Sequence, residues 1–144
     1  MNKKYIIFML IASIIVIAGC SSTQKKQDAL GEEYQRYVDA IDNDATSLKE
    51  SLDKWNILME QVNKGGTVDI SDMESAQRDY TDTANVIKPK IQSLKSFIAT
   101  NEAKLKEAGF DTFQEKQDID EVLSGIENNV RNMKTEIDKL SAEE

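Results

Sequence analysis

From Leu30 the apolar side chains recur at Leu30, Tyr34, Tyr37, Ile41, Ala45, Leu48, Leu52, Trp55, Met59 and Val62. Steps of three and four residues put all of these on one face of an α-helix. The paired Gly65 and Gly66 after Asn63-Lys64 stop it. A second stripe runs through Met73, Ala76, Tyr80, Ala84, Ile87, Ile91, Leu94 and Ile98, then reaches Leu105 past the polar Asn101. Ser71-Asp72-Met73-Glu74 has the form of a capping box, with Asp69 as a competing cap, and Ala108-Gly109 closes the segment. Pro89 falls inside this stripe, where it removes a hydrogen bond and crowds the preceding turn, so a kink is expected near Asn85 to Lys88. A complete break there would change the number of helices. The third stripe, Ile119, Leu123, Ile126, Val130, Met133, Ile137 and Leu140, alternates steps of four and three throughout. Asp111 or Thr112 caps it, Thr112-Phe113-Gln114-Glu115 being a second capping box, and Phe110 and Phe113 flank the turn and are expected to plug the end of the core.

Each segment is apolar on one side and rich in Lys, Glu, Asp, Gln and Asn on the other, so none is stable alone and each must bury its stripe against the others. Short turns make neighbours antiparallel. The expected fold is therefore all-α: an elongated, coiled-coil-like, antiparallel three-helix bundle with crossing angles of about +20°. Its helices span about 28–63, 71–108 and 112–141. Val38, Leu58, Val86 and Val122 lie beside the main stripes, where they either widen the seams between helices or leave an exposed strip for a partner. Asn101 on the second stripe either selects register by pairing with a polar neighbour or marks a frayed end.

The first twenty residues follow a different pattern. A basic start with Lys3 and Lys4 precedes an apolar run from Tyr5 to Ala18, interrupted by Ser13, and then Gly19-Cys20. This is the order of an export signal. As a helix the run reaches roughly 21 Å at ~1.5 Å per residue, short of the ~30 Å hydrocarbon core of a bilayer. The stretch Ile17-Ala18-Gly19-Cys20 resembles the lipobox of bacterial and archaeal lipoproteins. The resemblance covers only the leader. It implies cleavage between Gly19 and Cys20, a diacylglyceryl group in thioether linkage on Cys20, and a place on the extracytoplasmic face of a membrane. Ser21 after the cysteine is compatible with outer-membrane delivery where an outer membrane exists. An uncleaved anchor with an incidental cysteine gives nearly the same topology. Two acyl chains hold a protein where one does so only marginally, at about 0.8 kcal/mol per buried methylene. The organisation expected is a signal peptide over 1–19, a lipidated Cys20 with a polar tether over 20–27, and the bundle over 28–144.

Composition narrows the function. The leader carries Lys3 and Lys4 and no acid, so its removal takes the formal charge from −8 to −10. Such an acidic domain repels nucleic acid phosphates, which argues against DNA or RNA as partners. With no histidine, the commonest general base and zinc ligand are missing, and the lone cysteine has no partner for an internal disulfide.

The window Asn63 to Glu74 has the length of a calcium loop, yet Gly65 and Thr67 stand where carboxylates are wanted and Val68 replaces the turn glycine. Asp39, Asp42, Asn43 and Asp44 form an acidic cluster that reads as a solvated face. Trp55, Tyr34, Tyr37 and Tyr80 fall on the core stripes and read as packing, with their polar atoms at the bundle edge. No catalytic residues, metal ligands or cofactor site emerge. The expected function is a noncatalytic, membrane-anchored module with a protein partner or a second copy of itself. The alternative is a small-ligand receptor or sensor with a pocket near Pro89 and the aromatic residues.

Overall fold

A computed structural model describes residues 26–142, with side chains described from Ala29 onward. Among the described residues the fold is an all-α bundle of four helices: α1 (Lys26–Asn63), α2 (Ile70–Thr100), the short α3 (Glu102–Glu107) and α4 (Thr112–Ser141). The expected signal peptide over 1–19, Gly19, Cys20 and most of the expected tether lie outside the described residues. The helix begins at Lys26, so the last two positions assigned to the tether, Lys26 and Gln27, belong to α1.

The antiparallel pairing follows from the cross-helix contacts. Each step forward along α1 is matched by a step back along α2: Tyr37 stands against Phe97, Asp44 against Lys90, and Lys54 against Asp79. From α2 to α4 the same reversal joins Lys95 to Asp120, Lys88 to Glu127 and Tyr80 to Asn129. At 38 residues α1 is roughly 57 Å long at ~1.5 Å per residue.

α2 is the central helix. Met73, Ala76, Tyr80, Ala84, Ile87, Ile91, Leu94, Phe97 and Ile98 are all buried on it, whereas α1 buries a shorter set that includes Val38, Ala45, Leu48 and Trp55. The difference has a geometric cause, since α1 and α4 each pack along α2 and hardly pack along each other. The stripe residues Ile41, Leu52, Met59 and Val62 of α1, and Leu123, Val130 and Leu140 of α4, are therefore only partly buried at the margin of the core.

Several local expectations are corrected. The helix of 71–108 is interrupted, but at Asn101 and not at Pro89. Pro89 sits inside a continuous α2 on its exposed face, where water can reach the Asn85 carbonyl left without a donor. Asn101 adopts φ −106° and ψ 16°, and its Nδ2 donates to the Phe97 carbonyl at 3.0 Å. The Asn101 backbone N–H keeps its own bond to the same carbonyl, also at 3.0 Å, so the side chain adds a second donor there at the junction of α2 and α3. It bonds its own helix and neither pairs across the bundle nor frays.

The capping group of α2 is Asp69, which accepts from the Ser71 N–H at 2.8 Å, in place of the expected Ser71 box. α4 is capped by Asp111, which accepts from the Gln114 N–H at 3.0 Å. Thr112 is buried instead, with Oγ1 donating to Glu102 at 3.4 Å. The turns use Gly65 (φ 76°) and Gly109 (φ 90°), left-handed positions that a side chain would strain. Of the two phenylalanines expected to plug the core, Phe110 does pack inward, but Phe113 is 71% exposed. Among the flanking valines and Leu58, Val38 and Val122 are buried and Leu58 is partly buried, while Val86 is exposed.

Candidate functional site

The antiparallel register gathers the start of α1, the end of α2, all of α3 and the start of α4 at one end of the bundle, the end from which the leader departs. Aromatic residues concentrate there. The Tyr34 ring lies 5.4 Å from that of Phe110 and 6.5 Å from that of Phe97, and Tyr37 lies 5.1 Å from Phe97, all in tilted arrangements. Such tilted pairs suit the ring quadrupoles. The Tyr34 hydroxyl donates to Glu115 Oε2 at 3.2 Å and ties α1 directly to α4.

Burial sets the protonation of this pair. It pushes the Tyr34 phenol above its ordinary range, an effect that the adjacent Glu115 charge reinforces. Burial also raises the Glu115 carboxyl, with a smaller push from Asp118 and Asp111 and an opposing pull from the Tyr34 hydrogen bond. Nearby Glu102 shows the opposite behaviour. Hydrogen bonds from Lys106 and Lys116 lower it to about 2. Lys116 meets Glu102 at 3.0 Å and so links α4 to α3. A raised carboxyl beside a phenol resembles an acid–base pair. Here, though, the phenol is spent on the carboxylate, and no nucleophile joins them.

An open groove of about 610 Å³ lies between α1 and α2, beside Pro89, Tyr37, Phe97 and Asn101, with Glu33 at its edge. Its polar lining is largely engaged in the helix: Ser93 Oγ donates to the Pro89 carbonyl at 2.9 Å and Ser96 Oγ to the Gln92 carbonyl at 3.0 Å. Trp55 and Tyr80, named with the pocket in the sequence analysis, do not line it. Trp55 is buried and Tyr80 is 0% exposed, with its hydroxyl accepting from Asn129 Nδ2 at 3.1 Å.

The acidic cluster of α1 is divided among different partners. Asp39 accepts from Gln35 at 2.7 Å, Asp44 pairs with Lys90, and the carbonyls of Asp42 and Asn43 accept from Thr46 and Ser47. Among the described residues no three acidic, histidine or cysteine side chains are grouped to hold a metal ion. The Asn63 to Glu74 window forms an ordinary glycine turn followed by the Asp69 cap. Among the described residues no helix is long and apolar enough to cross a membrane.

The sequence reading missed two features of this end, the Tyr34–Glu115 tie and the exposure of Phe113. The sequence around Glu115 has the form of a capping box, and only the packing of α1 against the α4 start shows Tyr34 as its partner. For Phe113 a signal existed: it follows the cap at Asp111 and lies off the stripe that begins at Ile119. Cys20 and Gly19 lie outside the described residues. Comparison of the chain with protein-family models, with curated proteins and with solved structures finds no match.

Proposed function

We propose that this chain is a membrane-anchored lipoprotein whose extracytoplasmic helical domain is a noncatalytic interaction module. The partner is an amphipathic helix of another envelope protein. The observation that carries the partner reading is the unfinished margin of the core. Ile41, Leu52, Met59 and Val62 of α1 and Leu123, Val130 and Leu140 of α4 keep apolar surface in water because α1 and α4 share α2 without closing on each other. An added helix laid on that margin would complete their burial. The anchor reading is supported by Ile17-Ala18-Gly19-Cys20 and the regions before it. The acidic charge of the domain and its lack of histidine support the absence of nucleic acid binding and of acid–base catalysis.

Crosslinking in cells, followed by detergent extraction of the processed protein, tests the partner. A covalent adduct mapped to the α1 or α4 margin is expected. Recovery of an uncrosslinked monomer overturns the reading, and an adduct containing only this chain reassigns the margin to self-association. For the anchor, Cys20→Ala is expected to release the protein from the membrane fraction and to block processing. Unaltered location and size would rule it out.

A second reading, a small-ligand receptor, draws on the groove beside Pro89. Its volume lies in the range of ligand sites. Its openness and the commitment of its serine hydroxyls to backbone carbonyls place it second.

A further inference from the structure

We propose that Phe113 is a membrane-contact residue: it seats the tethered end of the bundle in the interface of the lipid bilayer that holds Cys20. This rests on the lipid-anchor reading and adds to it an orientation for the domain.

Phe113 is the most exposed large apolar side chain among the described residues, and it occupies the first turn of α4. Ile57 and Val86, the other two, lie on the bodies of α1 and α2. The end that bears Phe113 is fixed by contacts around it: Glu115, two residues on, meets Tyr34, and Phe110 packs on the same ring. Tyr34 lies eight residues into α1, so Phe113 stands within roughly 12 Å, at ~1.5 Å per residue, of the level at which α1 begins.

The chain between Cys20 and Lys26 is six residue steps, which reach at most roughly 21 Å at ~3.5 Å each. That reach exceeds the offset, so a modest tilt of the bundle brings Phe113 to the surface while Cys20 stays in the membrane. Ring burial in the interfacial zone removes the exposure of Phe113, as for the apolar residues of interfacial helices. Charges of both signs occupy the same end, where Lys106 and Lys116 pair with Glu102 and Asp111 caps α4. Contact with a neutral, zwitterionic surface is therefore sufficient.

The test uses the full, processed protein, its acylation verified by mass, in vesicles of phosphatidylcholine brominated at the upper acyl positions. Native Trp55 is a built-in control, because it is buried and lies roughly 30 Å along α1 from Tyr34 at ~1.5 Å per residue. Its emission is expected to be unaffected by the bromines. Phe113→Trp adds an emission that the bromines quench, and Val86→Trp, farther along the bundle, adds one that they do not. An unquenched Phe113→Trp in acylated, vesicle-bound protein overturns this inference and leaves the anchor standing. Quenching at both added positions overturns the end-on placement. A product without acyl mass overturns the anchor and this inference together.

Discussion

Tyr80 shows how one side chain can serve packing and polarity at once. Its ring is fully buried on the central helix, while its hydroxyl accepts from Asn129 of α4. Tyr80→Ala is expected to cost about 3–5 kcal/mol through the cavity it leaves. Tyr80→Phe keeps the ring and costs only about 1 kcal/mol, the net value of one hydrogen bond. Denaturant unfolding of both variants separates the two contributions. The glutamates at the end where α1 and α4 begin respond to pH in opposite directions. Glu115 is raised in the folded state, so its contribution to stability is present below its ordinary value of 4.5 and is lost as pH rises through its raised value. Glu102 is lowered to about 2, so its contribution is present above 4.5 and is lost as pH falls toward 2. Glu115→Gln is expected to raise Tm more at pH 7 than at pH 4. Thermal melts across that interval check it, and an equal change at both values would remove the buried-carboxylate account.

Among the helices, α2 combines the largest buried face with the one residue that an α-helix accommodates worst. Pro89 withholds a backbone donor, yet the neighbouring lysines fasten the segment on both sides, Lys88 to Glu127 of α4 and Lys90 to Asp44 of α1. Pro89→Ala restores the bond and relieves the clash, and is expected to stabilise the protein by about 1–3 kcal/mol, up to the intrinsic difference between the two residues in a helix interior. A loss of stability instead would mean that packing on both sides depends on the proline's shape. The joint that does interrupt the helix lies elsewhere, at Asn101. Asn101 offers the Phe97 carbonyl a side-chain amide, and the chain reorients into α3 before turning at Gly109 into α4. A hydrophobic stripe with period near 3.6 shows where a helix is favoured, but it carries little information about such a local joint.

The molecule taken whole is a central helix with two flanking ones, and its surface properties follow from the edge they leave open. Met59→Glu and Val130→Glu, at that margin, are expected to cost about 1 kcal/mol each, because both sites retain access to water. If the margin receives the partner helix, both substitutions abolish the crosslinked adduct while the helical circular dichroism persists. An adduct that survives both would place the partner elsewhere. The surface ion pairs contribute little to this balance. Lys49–Asp53, Lys64–Glu60 and Lys54–Asp79 are exposed, and such pairs are each worth at most about 1 kcal/mol.

Residue order along the chain was enough to specify the helices, because an amphipathic period is a local property: the same side chains that recur every three or four positions must share a face. It specified the antiparallel order as well, since the turns at Gly65-Gly66 and Gly109 are too short for any other, and it carried the stretch before Cys20 that resembles a lipobox. Three matters lay beyond it. Which helix sits in the middle, whether Phe113 points inward as Phe110 does, and which partner Glu115 meets are all settled by how helices distant in sequence lie against one another. Burial is a property of that arrangement, not of the stripe: Leu48 and Leu52 have the same side chain on the same stripe, yet one is fully enclosed and the other remains partly in water.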